Sequence, residues 1–226
     1  MQPPVPVDKW PKNISALTVP NPCPQLIHGS SKSHQGTEDC LYLNIYTPAT
    51  NGTSALPVMF WLHGGGFNFG TSGYFGARYV MDRDFILVTV NYRIGVFGFL
   101  STGDEVVPGN MGLKDQSLAL RWVSKNIRHF GGDPQRITLA GLSAGAASVH
   151  YHYLSPMSKR LFRNGISFSG TSLAPWAYSP NSTEKTNKFA CTLNCTTDST
   201  VEMIRCLKSL STKTIMEAVY MLTVQF

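Results

Sequence analysis

Residues 136–145 read RITLAGLSAG, and the fold is decided there. Ile137, Thr138, Leu139 and Ala140 make a short apolar run suited to a buried strand, and Gly141-Leu142-Ser143-Ala144-Gly145 follows with no spacer. A G-x-S-x-G at the end of a strand puts its serine on a sharp strand-to-helix turn, and the flanking glycines leave room for backbone that side chains would obstruct. Ala146 to Leu154 contains neither proline nor glycine and is predicted helical. Ser143 would then stand at a helix N-terminus, where developing negative charge is stabilised. Taken alone, the motif also fits a plain Gly-Ser turn between two elements, so its context decides.

The context comes from a second stretch. Val58 to Leu62 (VMFWL) is another buried-strand run, and it opens into His63-Gly64-Gly65-Gly66-Phe67. Three successive glycines let the backbone itself approach a substrate. Acyl transfer passes through a tetrahedral oxyanion, and N–H donors aimed at it are worth roughly 3–4 kcal/mol each. A flexible turn has no reason to occur with a strand before it and a serine elbow after it.

These stretches do not stand alone. Glu38-Asp39-Cys40-Leu41-Tyr42-Leu43-Asn44, Asn91-Tyr92-Arg93, Gly109-Asn110-Met111-Gly112-Leu113-Lys114-Asp115-Gln116 and Phe130-Gly131-Gly132-Asp133-Pro134 occur in order around them. With these motifs the chain resembles the type-B carboxylesterase and cholinesterase family of α/β-hydrolases, and Val149 to Pro156 (VHYHYLSP) resembles insect members most. The resemblance implies an α/β fold, a partial α/β-hydrolase with a mostly parallel central sheet and helices on both faces. It also implies that residues 1–226 form one such domain, incomplete at both ends. Position by position, Ser143 is the implied nucleophile, and the backbone N–H groups of Gly65, Gly66 and Ala144 are the implied oxyanion hole. Trp176, after Pro175, matches the wall of the acyl pocket, although simple core packing explains it almost as well. Arg93 and Asp115 match an ion pair behind the site.

A serine hydroxyl is a poor nucleophile until a histidine takes its proton and a carboxylate orients that histidine. In this fold the chain order is Ser, then Asp or Glu, then His. After Ser143 only His150 and His152 remain, both on the predicted helix leaving the elbow. Seven helical residues at about 1.5 Å each carry His150 roughly 10 Å along the axis, too far for a hydrogen bond to Ser143. Both are read as histidines of the helix surface or core edge. The acid and base are expected beyond Phe226, and residues 1–226 alone are expected to be inactive. The proline-rich start MQPPVPVDKW contains no secretion signal and matches a loop that in the family follows an initial strand pair, so the sequence is expected to lack residues upstream.

Five cysteines and four N-x-S/T sequons carry the expected location. By the resemblance, Cys23 pairs with Cys40 and Cys195 with Cys206, leaving Cys191 over. Closing loops of this length contributes about 3 kcal/mol in the chain-entropy model, and disulfides persist only in oxidising compartments. The sequons fall at Asn13, Asn51, Asn181 and Asn194, the last beside Cys195. A secreted or ER-lumenal glycoprotein is expected. No apolar run nears the roughly 18 residues of a membrane span.

Along the middle, strands are predicted at Leu41 to Tyr46, Val58 to Leu62, Phe85 to Val90 and Ile166 to Phe168. A helix is predicted over Asp115 to Phe130 with Leu118, Ala119, Trp122, Val123, Ile127 and Phe130 on its apolar face. Another short helix is predicted over Thr214 to Tyr220. Hydrophobic residues make up 42% of the chain, as in a globular core. The formal net charge is +6, yet no Lys/Arg run exceeds two residues. That reads as a dispersed solvated surface, and no nucleic-acid partner is expected. Neither a metal nor a cofactor is expected.

In cholinesterases a tryptophan inside the first disulfide loop stacks on choline. The stretch from Cys23 to Cys40 has no Trp, Tyr or Phe, and Leu142 stands where those enzymes have a glutamate. The expected substrate is an apolar, uncharged ester, hydrolysed through an acyl-enzyme. The alternative is a non-catalytic cholinesterase-like binding, adhesion or scavenging protein. Ser143 with an intact glycine loop weighs against it.

Overall fold

The computed structural model describes residues 1–13, 15–27, 34–48 and 55–222. Its frame is a five-stranded sheet in the order β3-β5-β4-β6-β7. The strands are β3 (Leu43–Tyr46), β4 (Leu56–Leu62), β5 (Ile86–Val90), β6 (Gly132–Leu142) and β7 (Asn164–Phe168). Only β3 runs antiparallel to its neighbour; β4, β5, β6 and β7 pair in parallel. A separate antiparallel pair, β1 (Gln25–Leu26) and β2 (His34–Gln35), lies upstream.

The strand patterns follow from which faces are covered. In β4, Val58, Phe60 and Leu62 are buried while Met59 and Trp61 are half-buried, the alternation expected of a pleated strand with one denser side. All five residues of β5 are buried, as in a central parallel strand. Val58, Phe60, Leu62, Ile86, Val88, Val90, Ile137 and Leu139 form one cluster with Leu120, Val123 and Ile127 and with Ala144, Ala147 and Val149. Those two groups come from α2 (Met111–Asn126, with Ile127 in the short turn after it) and α3 (Ala144–Leu154). Trp61 projects to the other side, where its ring meets those of Phe75 and Phe168.

Helix α2 starts one turn earlier than the sequence pattern predicts. Gly112 disfavours helix intrinsically, but a side chain there would strike the Arg93 carbonyl, so close packing of the helix on the segment after β5 requires it. The apolar face also differs in detail. Leu120 is fully buried, while Phe130, at the end of the 3-10 turn that follows the helix, is 37% exposed, with its ring centroid 6.3 Å from that of Trp122. Gly131, at φ 84°, ends that turn, with its N–H on the Arg128 carbonyl. Gly132 pairs with Leu56 before the ladder shifts, and continuous pairing resumes at Ile137 with Val58.

Beyond β7 the chain is helical where the sequence predicts only the final helix. A short helix α1 (Gly95–Phe99) with α4 (Ser182–Thr192), α5 (Thr200–Ser209) and α6 (Thr212–Leu222) builds a second core. Phe189, Ala190, Met203, Ile204, Leu207, Ile215, Met216 and Ala218 are its buried side chains from the last three helices. Their spacing of three and four is helical, broken into pieces by the loop that Cys195 and Cys206 close. Ser199 caps α5 through the Glu202 N–H. Both expected disulfides are present, and Cys191 is free and exposed on α4.

Candidate functional site

Ser143 lies between the last residue of β6 and the first of α3, at φ 55° and ψ −116°. L-residues rarely adopt this conformation, so surrounding contacts must hold it. The Ser143 N–H donates to the Phe168 carbonyl at 2.8 Å, and the Ser143 carbonyl accepts from Ala147 at 2.9 Å. The two glycines of the motif are needed for space. A side chain on Gly141 would run into the Gly145 backbone, and one on Gly145 into the carbonyls of Leu62 and His63. The elbow is thus wedged against the end of β4. Among the described residues nothing hydrogen-bonds to the Ser143 hydroxyl, and the residue is half-buried.

The loop that leaves β4 meets the elbow. A Cβ on Gly64 would sit 2.8 Å from the Leu142 carbonyl and 3.1 Å from the Ser143 Cβ. The loop doubles back at Gly65 (φ 113°), whose carbonyl accepts from Asn68 and Phe69 at 2.9 and 3.1 Å. The backbone N–H groups of Gly65, Gly66 and Ala144 find no acceptor among the described residues.

His63 anchors the loop. It is fully enclosed, and its Nδ1 lies 2.8 Å from the Gly64 carbonyl, so Nδ1 carries the proton. Burial pushes its pKa down to about 4, leaving it neutral. Its ring stacks on Tyr92 with centroids 4.3 Å apart. Around it, Gln25 bridges the Gly70 carbonyl and N–H at 2.9 and 2.8 Å, and also donates to the Cys23 carbonyl. Asn91 donates to the carbonyls of Asn21 and Cys40 and accepts from Ser72 and Thr71. These amides tie the disulfide segment to the sheet. Sequence reading missed Gln25 and quoted Asn91 and Tyr92 only as a motif, because satisfied buried amides leave no periodic signal.

Arg93 and Asp115 pair as expected. The guanidinium spans both carboxylate oxygens at 2.6 and 2.8 Å, the Arg93 N–H adds a third bond at 3.0 Å, and the remaining nitrogen donates to the Gln2 carbonyl. Asp115 is buried, and Arg93 is 14% exposed at its side chain.

Neither helix histidine reaches Ser143. The half-buried His150 bonds the Thr171 and Ser172 hydroxyls at 2.8 and 3.1 Å. His152 is more deeply placed than a surface or core-edge reading allows, with Nδ1 on Ser158 at 2.7 Å and Nε2 on Gln116 at 2.9 Å. Burial lowers its pKa to about 4. Trp176 follows the loop after β7 and stands 45% exposed. Asn13, Asn181 and Asn194 are exposed; Asn51 lies outside the described residues. Among the described residues no three His, Cys, Asp or Glu side chains cluster to hold a metal, and no helix is long and apolar enough to cross a membrane.

A strained serine where a strand turns into a helix, set against a glycine loop from the adjacent parallel strand, is the arrangement of α/β-hydrolases. The chain belongs to the carboxylesterase family, whose model matches residues 1–225. It is 52% identical over 224 residues to venom carboxylesterase-6 of Apis mellifera, covering 96% of this chain and 40% of that protein. It is 55% identical over 213 residues to a carboxylic ester hydrolase of Bombus ignitus, covering 92% of this chain and 38% of that one. Over 150 residues it is 55% identical to juvenile hormone esterase of Tribolium castaneum, covering 66% of this chain and 26% of the relative. The chain thus spans about two fifths of the length of the first two relatives.

Proposed function

We propose that residues 1–226 carry the nucleophile and oxyanion hole of a serine carboxylic ester hydrolase. The observation that carries this reading is Ser143, held in a strained conformation with a hydroxyl that nothing among the described residues engages, against a loop whose Gly65 and Gly66 amides find no acceptor among those residues. In the proposed reaction the Ser143 oxygen attacks the ester carbonyl as a general base takes its proton. The oxyanion forms against the N–H groups of Gly65, Gly66 and Ala144, and the alcohol leaves with a proton from that base. Water then attacks the acyl-enzyme and releases the acid, returning the proton to Ser143.

The base and its orienting carboxylate belong to the part of the domain outside residues 1–226. The substrate is an apolar, uncharged ester: no Trp, Tyr or Phe occurs between Cys23 and Cys40, and Leu142 places no charge beside the nucleophile. Trp176 would border the acid side of that ester. The names of the Apis, Bombus and Tribolium relatives, all ester hydrolases, support the class of reaction. Two disulfides support an oxidising, extracytoplasmic location, with Asn13, Asn51, Asn181 and Asn194 as the glycosylation sites.

The test begins with the intact mass of the natural protein after deglycosylation, which should exceed that of residues 1–226. Hydrolysis of p-nitrophenyl butyrate and covalent labelling by an organophosphate are then measured for that protein and its Ser143→Ala variant. Both activities should vanish in the variant. Retention of either rules out Ser143 as the nucleophile.

A further inference from the structure

A line of buried polar side chains runs beneath the elbow, and the proposed chemistry leaves it unused. Gln116 and Ser117 come from α2, Ser148 and His152 from α3, and Ser158 from the turn that follows; all five are buried. The bonds are Ser117 to Ser158 at 2.8 Å, Ser158 to His152 Nδ1 at 2.7 Å, and His152 Nε2 to the Gln116 carbonyl oxygen at 2.9 Å. The Gln116 amide nitrogen then donates to Ser148 at 3.2 Å, and the Ser148 hydroxyl donates to the Ala144 carbonyl at 2.9 Å.

The direction of the chain is fixed at its far end. The Ala144 carbonyl only accepts, so Ser148 must donate to it and accept from the Gln116 N–H. The Gln116 oxygen then needs a donor, which places the His152 proton on Nε2 and leaves Nδ1 to accept from Ser158. Ser158 in turn accepts from Ser117. Every donor points toward Ala144, and bonds aligned in this way polarise one another.

Five polar side chains are an expensive way to pack two helices that apolar residues would hold as well. The chain ends on a carbonyl in the first turn of α3, next to a serine whose backbone must be held against strain. We propose that Gln116, Ser148 and His152 are positioning residues that hold the Ala144 turn, and through it Ser143 and the Ala144 N–H, in catalytic alignment. The inference rests on the reading of Ser143 as the nucleophile.

The experiment uses the complete natural protein. Ser148→Ala removes one oxygen from a helical position and Gln116→Met removes the amide at similar length; the double variant is made alongside them. Each is assayed for kcat and KM with p-nitrophenyl butyrate and for its thermal midpoint, with Ser143→Ala as reference. A positioning role predicts a kcat about tenfold lower in each single variant, with KM within about twofold. The double variant should be no slower than the slower single, because either change already breaks the chain. Unchanged kcat in folded Ser148→Ala, or losses that multiply in the double variant, overturns the inference while an inactive Ser143→Ala leaves the reaction intact. An active Ser143→Ala overturns both.

Discussion

Tyr92 and His63 hold each other twice: their rings stack 4.3 Å apart, and the Tyr92 hydroxyl donates to the His63 carbonyl at 2.8 Å. The second residue after β5 thereby clamps the first residue of the glycine loop. Tyr92→Phe keeps the stack and leaves the buried carbonyl without its donor, an expected loss of about 1–3 kcal/mol. Urea unfolding reads it directly, and an unchanged midpoint would show that the hydroxyl contributes nothing.

The buried histidines set an acid limit on stability. His63 and His152 titrate near 4 in the fold and near 6.5 when unfolded, both because burial disfavours the charged ring. Below 6.5 the unfolded chain takes up protons that the folded chain refuses, so stability present above pH 6.5 is lost as the pH falls toward 4. The loss is on the order of 3 kcal/mol for each histidine. Unfolding free energies at pH 7.5 and 4.5 should differ accordingly, and replacing His152 with Leu should flatten part of the slope. A slope of the opposite sign would contradict the buried neutral state.

Arg93→Ala leaves the Asp115 carboxylate buried without its partner, at an expected cost of about 3–5 kcal/mol. Its urea-unfolding midpoint should fall accordingly. An unchanged midpoint would mean that the pair is dispensable.

Gly66 and Gly145 separate two uses of glycine. An added methyl at Gly66 meets only the Asn68 amide, 4.0 Å away, so Gly66→Ala carries the backbone cost of φ 58°, about 1–2 kcal/mol. At Gly145 it meets the Leu62 and His63 carbonyls, and the end of β4 must move. Gly145→Ala should therefore be far less stable than Gly66→Ala by thermal unfolding, and equal midpoints would refute the contact.

The strands, the elbow and the glycine loop were legible because each combines an apolar run with a glycine break, both strictly local signals. The first turn of α2 was not, since Gly112 lowers helix propensity for the sake of a contact with a distant carbonyl. Helices α4 and α5 were hidden by the cysteine loop that joins them, because Cys195 and Cys206 draw the reading of that stretch toward a disulfide loop. His150 and His152, two residues apart, differ in burial because α2 and the turn after α3 close over only one of them. Nothing local to VHYHYL distinguishes the pair.

The parallel register Leu62↔Gly141 has a consequence for how this protein can change over time. The glycine loop and the serine elbow are separated by nearly eighty residues of chain, yet their alignment is metered by a ladder only five rungs long from Val58 to Leu62. Adding or deleting one residue inside that ladder slides one half of the site past the other by about 3.3 Å and turns every following side chain to the opposite face. The connections outside it can lengthen without disturbing the alignment. Length variation compatible with function should accumulate between the strands, while β4 and β6 keep a fixed count from Val58 and Ile137 to their ends.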